Sequence, residues 1–129
     1  MISFQYDTNE NIVRTQATET VTTNDIIKYA MNIIEDKKIT GGFVELVDFA
    51  LVEDIVVRYS ELGPFPSIWE KYKEKGCKAT IIFAPTDISF GIFRMLQTVI
   101  LMDFEMDEDH FVVVRSKEEL EAALLKNST

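Results

Sequence analysis

The side chains able to do chemistry are few and scattered along the chain. His110, the only histidine, stands beside Glu108 and Asp109, company in which an imidazole can serve as general base or metal ligand. With no cysteine or second histidine near it, the same residue reads more simply as a polar group at a strand start. Cys77, the only cysteine, follows Gly76 at the head of an apolar run. A nucleophilic thiol needs a base or a helix N-terminus, whereas the segment before Cys77 ends a helix there, and that dipole disfavours thiolate. Cys77 therefore reads as structural. One His and one Cys cannot furnish a zinc ligand set. Asp103, Glu105, Asp107, Glu108 and Asp109 form the densest acidic cluster. Counted from Asp103, a calcium loop would need glycine at Glu108 and a carboxylate at Val114, so the cluster reads as a solvated loop. No Gly-x-Ser-x-Gly elbow and no glycine-rich phosphate loop is present.

Arg94 is the cation that needs explaining. It stands among Phe90, Ile92, Phe93, Met95 and Leu96, where a charge needs a partner or a route to water. A structural ion pair to Asp48 or Asp87 is one reading; an anchor for the acidic or carbonyl end of a ligand is the other. An enzyme built on this chain would use His110 or Asp87 with Arg94. Ser89 lies in the first turn of the same segment, where a hydroxyl caps a helix or holds an anion, capping being favoured.

The elements that must position these residues follow from pattern. Ile2–Tyr6 and Ile12–Thr18 read as the arms of a hairpin around the turn formers 7–11. Thr22 and Asp25 resemble a capping box opening a helix over about 24–36, with Ile26, Ala30, Ile33 and Ile34 as its stripe. Phe43–Phe49 is a central strand, with Glu45 and Asp48 at its polar positions or edge. Leu51, Ile55, Tyr59 and Leu62 recur at helical spacing, and Gly63-Pro64-Phe65-Pro66 stops that helix. Ser67-x-x-Glu70 restarts one that ends at Gly76. A strand over Lys78–Ala84, a helix apolar on nearly every side to Leu101, a strand Phe111–Val114 and a helix opened by Ser116-x-x-Glu119 complete the order. The pattern predicts one α/β domain over residues 1–129, with a mixed, mostly parallel sheet of about five strands.

Composition bounds the function. In 129 residues there are 22 acidic against 13 basic side chains, a net charge of −9 with no basic cluster, which disfavours nucleic acid and anionic membranes. No apolar run reaches the roughly 18 residues a membrane-spanning helix needs. The N-terminal stretch has no secretory pattern, and a lone cysteine fits a reducing compartment, so a cytoplasmic protein is expected.

The chain resembles the STAS-like fold of anti-sigma-factor antagonists and of small SpoIIAA-like bacterial proteins. The likeness is carried by a Val/Leu-rich strand ending in Asp at Phe43–Asp48, by IIFAPTDISFGIFRMLQ with its Gly91-x-x-Arg94-Met95, and by the last strand and helix from Phe111 to Ala122. It implies a non-enzymatic role without cofactor: docking to a protein partner or carriage of apolar molecules. Antagonists are switched by phosphorylation of a Ser at the start of the helix after the central strand. Phe49-Ala50-Leu51-Val52-Glu53 has no Ser or Thr, which leaves Ser60, Ser67 and Ser89 outside the expected loop.

The apolar helix offers two stripes. Ile88, Gly91 or Ile92, Met95 and Val99 would pack on the sheet. Phe90, Phe93, Gln97 and Ile100 would meet neighbouring helices, a homodimer mate or an apolar ligand. Phe65, Trp69 and Tyr72 would line a pocket against that second stripe, with the Gly63–Pro66 break letting one helix move as a lid. The expected binding site is thus Phe65, Trp69, Tyr72, Phe90, Phe93, Arg94 and Gln97, on a protein expected to be dimeric.

Overall fold

The computed structural model describes residues 1–103 and 110–127. The acidic cluster that follows Asp103 lies outside them. Among the described residues, five strands form one sheet in chain order: β1 (Ile2–Asp7), β2 (Ile12–Thr22), β3 (Val44–Val56), β4 (Ala79–Phe83) and β5 (Phe111–Val114). β1 and β2 are antiparallel and the other neighbours parallel, giving the mostly parallel α/β sheet that the pattern predicts. Among the same residues, four α-helices pack on it: α1 (Thr23–Glu35), α2 (Phe65–Lys75), α3 (Asp87–Asp103) and α4 (Lys117–Lys126).

Local chemistry sets the helix starts. Thr22 Oγ1 accepts from the Asp25 amide at 3.2 Å and Asp25 Oδ2 accepts from the Thr22 amide at 2.9 Å, a complete capping box. Ser116 Oγ accepts from the Glu119 amide at 3.2 Å and caps α4. Thr86 caps α3: its Oγ1 accepts from the Ser89 amide, and Ser89 Oγ accepts from the Thr86 amide in return. Gly76 ends α2 in the left-handed region (φ 96°), and a Cβ there would stand 2.8 Å from Gly41 Cα. That close approach joins the α2 end to the loop before β3, where the Gly42 amide donates to Gly76 O.

Two expectations are overturned. The stretch with Leu51 and Ile55 is the second half of β3, not a helix, and Tyr59 lies beyond it. Its ladder with β2 continues from Thr18 opposite Leu51 to Thr22 opposite Val56, and only a short 3₁₀ turn (Tyr59–Glu61) follows. Leu51 and Tyr59 are 63% and 67% exposed, so the spacing marked no packed stripe. Secondly, α2 opens at Phe65 with Pro66 in its first turn, where a missing N–H costs nothing, and Ser67 is not its cap.

The faces of the sheet are unequal. Val13, Thr15, Ala17, Glu45, Val47, Thr80, Ile82, Phe111 and Val113 are buried on the face that α1, α2 and α3 cover. The opposite parity, with Val44, Ile81, Phe83 and Val114, packs under α4 alone. α3 turns Phe93, Leu96, Gln97 and Ile100 inward and leaves Ile88 72% exposed, the reverse of the expected stripes. The reason is its short capped start, which sets the helix's rotation: Ser89 is buried against the cap, and Phe93, Leu96 and Ile100 follow it at helical spacing.

Candidate functional site

The feature of most chemical interest is a carboxylate that β3 carries into the core. Glu45 is 2% exposed. It has the parity of Val47 and Phe49, so it faces α1 and α2 rather than water. Tyr29 of α1 and Tyr72 of α2 donate to its Oε2 at 2.5 and 2.8 Å, and Thr80 of β4 donates to Oε1 at 2.8 Å. The network extends to Thr15, whose hydroxyl lies 2.6 Å from Tyr29 Oη, and to Cys77, whose Sγ lies 3.6 Å from Thr80 Oγ1. Burial pushes the Glu45 carboxyl above its ordinary value while the three hydroxyls oppose that rise. Burial likewise raises Tyr29, Tyr72 and the Cys77 thiol, so Cys77 is no nucleophile.

Beside Glu45 lies a cavity of about 70 Å³. Its walls come from all three helices, with Tyr29 and Ala30 of α1, Phe65 and Trp69 of α2, and Phe93 and Leu96 of α3, over Glu45, Val47 and Thr80 of the sheet. Trp69 stands edge-on to Phe111 with ring centroids 5.6 Å apart. Its buried Nε1 is, among the described residues, the one buried side-chain polar atom without a hydrogen-bond partner. An indole N–H in that state is a donor awaiting an acceptor.

Four of the expected site residues, Phe65, Trp69, Tyr72 and Phe93, are thus walls of one cavity. The other three are elsewhere. Gln97 donates to Phe111 O and accepts from Arg94 Nη1 at 2.8 Å, tying α3 to the start of β5. Arg94 is exposed, and its partner is Gln97 rather than Asp48 or Asp87. A long stem on the solvent side of α3 reaches water, and among the described residues it makes no ion pair. Asp87 pairs instead with Arg115, whose guanidinium sits 5.0 Å from the half-buried Phe90 ring. Phe93 is 1% exposed inside a single chain and so cannot form a dimer contact.

The residues named for an enzyme do not assemble. Asp87 is bonded beyond one end of β5, and His110 is exposed just before the other end. None of Asp87, Arg94 and His110 lines the cavity. Among the described residues no cluster of His, Cys, Asp and Glu is arranged to hold a metal, and no helix is long and apolar enough to cross a membrane. Of the serines, Ser89 is buried in the α3 cap, whereas Ser60 and Ser67 are exposed. Because β3 runs to Val56, the connection to the next helix is 57–64 and does contain a serine, Ser60.

Glu45 itself went unread as a site residue. The signal was present: Phe43, Glu45, Val47 and Phe49 share one parity, and three large apolar residues on that parity mark it as the covered face.

No family model matches this sequence, and no curated protein does. Solved structures do resemble it. The anti-sigma factor antagonist SpoIIAA in its unphosphorylated form superposes with a TM-score of 0.56 at 12% identity, covering 98% of each chain. An uncharacterized protein of SpoIIAA-like fold from Shewanella loihica gives 0.52 at 13% identity, covering 95% of this chain and 92% of that one. Such identities speak to architecture, and the architecture of this chain is the STAS-type, SpoIIAA-like fold.

Proposed function

We propose that this protein is a non-enzymatic binding module that carries a small, largely apolar molecule among α1, α2 and α3. The single observation behind the reading is the cavity. It sits under three helices and is walled by Phe65, Trp69, Tyr72 and Phe93, and one of those walls, Trp69, carries a buried donor with no acceptor. Well-packed cores hold few voids larger than a water, and unsatisfied donors are rare in them, so the coincidence of both favours an occupant. The fold is one that SpoIIAA uses for regulation rather than catalysis, which fits carriage coupled to a partner. Native mass spectrometry of freshly purified protein is the test. The expected spectrum has a mass excess that denaturation releases, and the same spectrum reports whether the protein is a homodimer. A bare chain mass from gently handled protein would overturn carriage.

A second reading has its own support. Ser60 lies exposed in the connection after β3, and Ser67 lies exposed in the first turn of α2. SpoIIAA is an anti-sigma factor antagonist studied in an unphosphorylated form, and a phospho-switch on this chain would use one of these hydroxyls to govern docking. A phosphate increment in the denatured mass, mapped to Ser60 or Ser67, distinguishes this reading from carriage.

A further inference from the structure

Glu45 is a buried carboxyl group without a counter-charge. The described residues give it three hydroxyl donors and no cationic partner. Hydroxyls orient a carboxylate and satisfy its lone pairs, but they do not neutralise it. Two donors occupy Oε2 and one occupies Oε1, which leaves acceptor capacity on Oε1. The adjoining cavity is bounded by the rings of Phe65, Trp69, Tyr72, Phe93 and Phe111. Aromatic rings beside a desolvated carboxyl group are surroundings that can favour an organic cation over a neutral molecule. Trp69, one of these walls, also carries a buried Nε1 donor without an acceptor.

Size narrows the occupant. The cavity of about 70 Å³ is roughly half the ~150 Å³ that accommodates benzene in an engineered core, so it takes about three to five non-hydrogen atoms. The cavity's nearest outer surface lies between β1 and α1. Ile2 and Tyr29 border both the cavity and an outer groove of about 350 Å³ that also contains Asp25, Lys28 and Asn32.

We infer that the Glu45 cavity is an amine site: it takes a short-chain ammonium ion with one hydrogen-bond acceptor, the ammonium on Glu45 Oε1 and the acceptor on Trp69 Nε1. A two-carbon amino alcohol has both groups within the available volume. The inference rests on the cavity being a ligand site, as proposed above, and narrows its occupant from a largely apolar molecule to one whose short carbon stem carries a cationic head.

Trp69 is the only tryptophan in the chain, so its fluorescence and its indole N–H resonance report the cavity directly. The protein is titrated with ethanolamine, with ethylene glycol as its neutral counterpart of equal size, and with 1-propanol as an apolar control. Ethanolamine is expected to bind at least ten-fold more tightly than either neutral probe, and Glu45→Gln to reduce that preference below three-fold. The wild-type comparison decides the matter even if Glu45→Gln fails to fold. Equal or tighter binding of 1-propanol would overturn the amine selection while leaving carriage of an apolar molecule standing. If none of the three probes moves the Trp69 signals, the amine site falls, and a mass excess in the native spectrum still decides carriage separately.

Discussion

At the scale of single residues, Glu45 ties the fold to pH. The unfolded chain titrates this group at its ordinary 4.5, and burial raises it in the folded protein. Between those two values the folded state binds the extra proton, so stability is greatest below pH 4.5 and is lost as pH rises through the folded value. Tyr29, Tyr72 and Cys77, the titratable groups that face Glu45, are raised by burial and stay protonated throughout this window. Asp25 is lowered by the Thr22 amide and Glu61 by the Thr23 hydroxyl; what they contribute disappears only as pH falls below the ordinary carboxylate range. The urea midpoint of the wild type is therefore expected to decline from pH 4.5 toward neutrality, and Glu45→Gln, which carries no charge at any pH, to flatten that decline. Parallel curves for the two proteins would show that Glu45 carries no pH dependence. A sequence reading places a glutamate in FVELVDF on the polar side, because side chains alternate and charges face water. The parity of Phe43, Val47 and Phe49 argues the other way, and the hydroxyls of Tyr29, Tyr72 and Thr80, distant in sequence, are what let the carboxyl follow it inward.

Among the elements, the hairpin, the α1 and α4 caps, β4 and β5 were legible because each rests on local signals: turn formers, reciprocal caps, short apolar runs. The second half of β3 was not. Leu51 and Ile55 carry helical spacing, but the backbone there answers to a neighbour about 33 residues away, the Thr18–Thr22 portion of β2. Parallel pairing is non-local and leaves no periodic trace in the partner's sequence. The extension is also exposed in a way the first half is not. Val44–Asp48 is paired on both sides, by β2 and β4, whereas Leu51–Val56 pairs with β2 alone. Edge hydrogen bonds open more readily than central ones. Hydrogen exchange is expected to show amides 44–48 protected at least ten-fold more strongly than the bonded amides of 51–56. Equal protection would mean that the extension unfolds only with the whole sheet.

For the molecule as a whole, the unequal coverage of the sheet decides where a ligand can go. α4 alone covers the Val44, Ile81, Phe83 and Val114 face, while α1, α2 and α3 meet over the other and leave the cavity at their junction. The apolar surplus of α3 signalled that this helix packs on more than one partner, yet which stripe turns inward was set by the Thr86–Ser89 cap, a polar detail. A hole in a core costs stability, about 24 cal/mol per Å³ in measured cavity series, so filling it should stabilise the fold if nothing is meant to occupy it. Val47 is a wall of the cavity, sits on β3 and is 5% exposed. Val47→Ile adds one methylene, keeps the β-branch that a strand favours, and extends into existing space. Burial of that group is worth about 0.8 kcal/mol, which for a domain of this size corresponds to a rise in Tm of roughly 3–5 °C. The same methylene removes room from a ligand of three to five atoms. A higher Tm together with weaker ethanolamine binding is the expected pair of results, the signature of a core that gives up packing for function. A lower Tm would instead mean that the space between Val47 and the helices is already filled by side chains as tightly as the rest of the core.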